Sequence, residues 1–129
     1  MIIRRNQMNQ FSQYMVKSFE DRMVTHLRKF FPEKVEALGE EAVRSKIQSG
    51  IERADGYLVT REVDVARLID LKFALAPDFD ELEEMSWARE ILEDHSISGQ
   101  DKMDRVYEEL PECLRALQRE AEANKQPWE

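Results

Sequence analysis

The stretch TREVDVARLIDLKFALAP, residues 60–77, decides the fold. Val63, Val65, Ala66, Leu68, Ile69, Leu71, Phe73, Ala74 and Leu75 spread apolar side chains over most of a helix circumference. A helix that is apolar nearly all round is a buried one. Thr60 suits the N-cap position. Pro77 stops the helix after Ala76, because the residue before a proline is pushed out of the α region. This helix is expected at the centre, with the rest of the chain wrapped around it.

Upstream, Met8, Phe11, Met15, Phe19, Met23, Leu27 and Phe30 recur at spacings of three and four and stack along one helix face. Pro32 ends that helix. About 25 residues span roughly 38 Å, longer than the core of so small a domain needs. Phe11, Tyr14, Phe19, Phe30 and Phe31 lie in this first quarter. Such a stripe is ordinary core patterning, and its excess length also suits docking to a partner helix or groove. Glu33 to Leu38 reads as a short helix closed by Gly39. Val43, Ile47, Ile51 and Ala54 mark a third helix ending at Asp55-Gly56. Gly50 inside it costs about 1 kcal/mol relative to Ala, which points to a close helix crossing.

Downstream, residues 78–84 (DFDELEE) form an acidic connector, expected to be a solvated loop and helix start. A short helix follows from about Ser86 to Asp94, with Trp87, Ile91 and Leu92 on its packing face. Ser98 with Asp101 three residues on resembles the start of a final helix, striped by Met103, Val106, Tyr107, Leu110, Leu114 and Leu117. Pro111 kinks or breaks it. The expectation is an all-α single domain over residues 1–122, a bundle of five to six helices. It has a long N-terminal helix and a buried central one, and a frayed tail follows over residues 123–129.

Composition agrees. A chain of 129 residues with 42% apolar and 36% charged side chains makes one domain and holds too much core material for a disordered tail. Four Gly, four Pro and few β-branched residues disfavour an all-β fold. No run approaches the roughly 18–20 apolar residues of a membrane span, and no signal peptide is evident. The single cysteine, Cys113, suits a reducing, cytoplasmic compartment. The net charge of -8 is uneven: residues 1–31 carry six basic and two acidic side chains, and residues 78–129 carry six and sixteen. So acidic a chain lacks the basic stripe that displaces counterions from nucleic acid.

No constellation for catalysis stands out. His26 and His95 are the two histidines, and neither has a second one at metal-ligand spacing. His26 lies beside the first helix's stripe; His95 suits the negative end of the helix before it. Cys113 sits among acids, which raises a thiol pKa. The run 78–84 lacks the central glycine and spaced ligands of a calcium loop. Residues 55–60 could join two helices of a helix-turn-helix, with Arg61 and Arg67 toward a groove, but Glu62, Asp64 and Asp70 share that helix. The expectation is no enzyme, no cofactor, no metal, no nucleic acid and no small-molecule substrate.

A set of short segments opens with Ile2-Ile3-Arg4-Arg5, Gln7-Met8, Met23-Val24, His26-Leu27-Arg28 and Phe31-Pro32. Leu38-Gly39-Glu40-Glu41, Gly50-Ile51-Glu52-Arg53-Ala54 with Tyr57, and Asp64-Val65-Ala66-Arg67 continue it. Leu71, Phe73-Ala74-Leu75, Asp78-Phe79-Asp80, Trp87-Ala88, Glu90-Ile91-Leu92 and Met103-Asp104-Arg105 complete the set, which covers roughly residues 2–107. In the order and spacing of these segments the chain resembles small helical proteins encoded beside bacterial type VI secretion effectors and their adaptor chaperones. The resemblance implies a non-enzymatic co-chaperone that works with an adaptor to load a toxic effector, and it brings no catalytic motif. The competing reading is an immunity protein, whose acidic surface would cover a basic toxin. Partner binding is expected at the free end of the first helix, through Arg4, Arg5, Met8, Phe11 and Tyr14.

Overall fold

A computed structural model of the chain describes residues 10–110, with side chains from Tyr14 onward. Six α-helices follow one another: α1 Gln10–Phe30, α2 Pro32–Leu38, α3 Glu40–Gly56, α4 Glu62–Ala74, α5 Ser86–Glu93 and α6 Gly99–Glu108. Two 3₁₀ turns, Phe79–Glu81 and Glu83–Met85, bridge α4 and α5. The described residues contain no strand and form an all-helical single domain. Pro111, Cys113, Leu114, Leu117 and the expected tail 123–129 lie outside them, as do Arg4, Arg5 and Met8.

The central position of α4 follows from its pattern. Val65, Leu68, Ile69 and Leu71 are fully buried, and even Glu62, Asp64, Arg67 and Asp70 are almost completely covered. It is packed by α3, α6 and α1. From α1 come Phe19, Met23, Val24 and Leu27; from α3, Val43, Ile47, Ile51 and Ala54; from α6, Met103, Val106 and Tyr107. Gly50 lets α3 press against α4: a Cβ there would lie 2.6 Å from Cγ1 of Ile69. The close crossing expected from that glycine is present.

Local signals set most of the ends. α1 stops at Phe30, one residue short of the position that Pro32 constrains. Gly39 separates α2 from α3 with φ at 84°, in the left-handed region where a side chain is strained. Ser98 caps α6, its Oγ accepting the Asp101 N–H at 3.1 Å.

Three expectations need correction. Thr60 is not the N-cap of α4. Arg61, with extended backbone, takes that position, and its carbonyl accepts the Val65 N–H at 2.9 Å without side-chain capping. The helix ends at Ala74 rather than Ala76. Pro77 has no N–H to offer the carbonyl of Phe73 four residues back, and the Lys34 ammonium donates to that carbonyl instead. The acidic connector is not simply solvated: Phe79 is fully buried and carries Asp80 inward with it, 1% exposed.

Candidate protein-binding surface

The buried charges are arranged for support. Arg22 of α1 donates to Glu62, and His26 Nε2 lies 2.9 and 3.0 Å from the two carboxylate oxygens of Asp70. Arg67 reaches Asp104 of α6 at 2.8 Å and lies over the Tyr107 ring at 4.7 Å. Tyr107 donates its hydroxyl to the Arg67 carbonyl at 2.7 Å. Burial raises the Tyr107 pKa well above the usual phenol value. Each of these links ties α4 to a neighbouring helix. His26, expected as a flanking or partly buried residue, is 8% exposed and part of this internal set. His95 is exposed beyond the end of α5.

A second set anchors the connector. Asp80 accepts from Tyr57 at 2.6 Å and from Arg53 at 2.7 Å. Burial works to raise its pKa, but those hydrogen bonds and the Lys72 charge outweigh it and hold the carboxyl below its ordinary value. Burial and the bond to Asp80 push the Tyr57 hydroxyl up to about 12. Lys102, fully buried, donates to the Tyr57 carbonyl at 2.7 Å, and burial lowers its pKa. Asp64 differs. Its carboxylate is 1% exposed with no hydrogen-bond partner, and Arg61 and Arg67 stand 3.6 Å away. Burial raises its pKa against the pull of those two cations.

Apart from these buried groups, a cleft of about 430 Å³ is bounded by α2, α3 and the end of α4. Its apolar lining comes from Ala37, Leu38, Phe73, Leu75, Ala76 and Pro77. Leu38 is 40% exposed at the rim. Lys34 from α2, Lys46 from α3 and Lys72 from α4 surround that floor. Lys34 donates to the Phe73 carbonyl, and Lys72 to the Pro77 carbonyl at 2.6 Å. Among the described residues none of the three forms a salt bridge, although other basic residues such as Arg44, Arg53 and Arg67 do. Burial lowers the Lys72 pKa, so its ammonium lacks the hydration it would have in water.

The expected partner-binding residues are only partly in view. Tyr14 projects from the first turns of α1 and is 70% exposed, the most exposed large apolar side chain among those described. Phe11 lies on α1, but its side chain is outside the described set, as are Arg4, Arg5 and Met8 altogether. The cleft was not anticipated, because its lysines are spread over 39 positions of sequence from 34 to 72. A local signal does exist. Lys34, Lys46 and Lys72 each lack an acidic residue three or four positions away on either side. Such neighbours neutralise Lys17 through Asp21.

No group of three or more metal-ligating side chains occurs among the described residues. No described helix is long and apolar enough to cross a membrane. The chain matches no known family model, no curated protein and no solved structure.

Proposed function

We propose that this chain is a non-enzymatic accessory protein that binds another protein, acting as a co-chaperone of an adaptor that loads a type VI secretion effector. The observation that carries the binding role is the division of labour among its polar groups. Arg22, His26, Arg67, Asp70 and Tyr107 are engaged within the domain, while the open cleft pairs an apolar floor with lysines that form no salt bridge among the described residues. An apolar floor with a polar border has the layout of a recognition surface. The adaptor role rests on the ordered resemblance from Ile2 to Tyr107. Co-purification of the tagged chain from its native host tests both parts. An adaptor-sized partner supports the co-chaperone, and a toxin domain alone overturns it in favour of immunity.

The immunity reading draws on a different surface. Glu81, Glu83, Glu84, Glu90, Glu93 and Asp94 are exposed along the connector and α5. A face so acidic complements a basic toxin.

A further inference from the structure

We propose that the cleft between α2, α3 and the end of α4 seats an amphipathic acidic segment of a protein partner, with apolar side chains on the floor and carboxylates at the lysines. This rests on the reading of the chain as a binding protein and says what it binds. Three observations lead to it. The floor is apolar and open at Leu38, so an occupant must bring apolar side chains and also cover an exposed edge. The rim carries Lys34, Lys46 and Lys72 on three separate helices, so positive charge flanks the floor from different directions. In a chain with a net charge of -8, none of these lysines forms a salt bridge among the described residues and none has an acid three or four positions away; the nearest pull is the field of Asp80 on Lys72.

An amphipathic helix or extended segment has the matching layout, an apolar face bordered by acids. Burial of the apolar face supplies affinity, and the lysines fix register and speed encounter. A bare apolar helix leaves the ammonium groups of the rim uncompensated, and a basic one meets three like charges. The chain's own residues 111–129 hold four acidic and three basic side chains, a poor match for a purely basic rim. A second copy of the chain offers its acidic face at residues 81–94, but Met85, Trp87, Ala88, Ile91 and Leu92 there pack on that copy's own core, which leaves Leu82 as the exposed apolar anchor.

The test uses the full chain and a fluorescein-labelled helical peptide with leucines at i, i+3, i+4 and i+7 and glutamates elsewhere. Anisotropy is expected to show saturable binding that weakens with salt. A peptide with lysines in place of the glutamates is expected not to bind. Lys46→Glu should weaken binding about tenfold while melting as the parent does, since Lys46 holds no structural bond. Leu38→Asp provides the second variant, with a comparable loss. Failure of the glutamate peptide to bind, equal binding of the lysine peptide, or binding unchanged in both variants overturns the proposal. A wild-type dimer that Lys46→Glu dissociates also overturns it, because a second copy then fills the cleft. Peptide binding without capture of any adaptor leaves the cleft standing and overturns the co-chaperone role; adaptor capture with failure of the glutamate peptide does the reverse.

Discussion

Gly50 of α3 and Ile69 of α4 approach so closely that a methyl group on Gly50 would lie 2.6 Å from Cγ1 of Ile69 and 3.3 Å from Cδ1. The colliding atom is on a branched side chain near its own backbone, so it has little freedom to yield. Gly50→Ala gains about 1 kcal/mol of helix propensity and loses about 1–3 kcal/mol to overpacking. The expected outcome is a lower melting temperature. Combining it with Ile69→Ala should give a double mutant more stable than the two separate losses add up to, which a double-mutant cycle reads directly.

The centre of the fold is α4, and truncating it should be severe. Leu68 is fully buried and Phe73 is 6% exposed. Leu68→Ala and Phe73→Ala should each cost about 2–5 kcal/mol, a large part of an ordinary domain's stability. Urea denaturation followed by circular dichroism checks this. Variants that unfold at the parent's midpoint would show that α4 is not central.

What could be read in the sequence, and what could not, divides along the range of the interactions. Pro32, Gly39, Gly50 and the Ser98–Asp101 pair act within a turn or two, and each marks its helix end or crossing where expected. The apolar circumference of α4 reveals its burial because it is a property of one segment. The charges on that same helix are another matter. Glu62, Arg67 and Asp70 meet partners at Arg22, Asp104 and His26, 37–44 residues away, so only the packed fold shows that they are paired. Asp80 is similar: the run 78–84 reads as solvated, yet Phe79 inserts into the core and delivers the carboxylate to Arg53 and Tyr57. The cleft is the extreme case, since its three lysines come from three helices and share no local period.

Acid should act on Asp80 and Asp64 in opposite directions. The folded pKa of Asp80 lies below its ordinary 3.8, despite the burial that works to raise it. Its stabilising effect is thus fully present above about pH 4 and is lost as pH falls through the folded value. The folded pKa of Asp64 lies above 3.8 because burial disfavours its charge. Its ionised form therefore penalises the fold at neutral pH, and that penalty is relieved as pH falls toward the unfolded value. Between about pH 7 and about pH 4 the stability of the parent relative to Asp64→Asn should move in the parent's favour. Below about pH 4 the parent's advantage over Asp80→Asn should shrink. Urea midpoints measured across that range check both signs.

Tyr14 separates a binding role for the start of α1 from a packing role. With 70% of its surface exposed, Tyr14→Ala should change stability by no more than about 0.5 kcal/mol. Binding through this end of the helix predicts weaker capture of the partner by the same variant. Pairing it with Phe11→Ala should abolish capture while the melting temperature stays close to the parent's. Normal capture by a stably folded double mutant would remove this surface from the account.

The central proposal is that the chain binds an adaptor chaperone as a stoichiometric partner, and titration calorimetry between the purified chain and the adaptor-sized protein captured with it measures that directly. The account predicts a saturable complex with a Kd on the order of micromolar or tighter, weakened by salt and by Lys46→Glu. No heat of binding, with the two proteins eluting separately from a sizing column at the same concentrations, would contradict it.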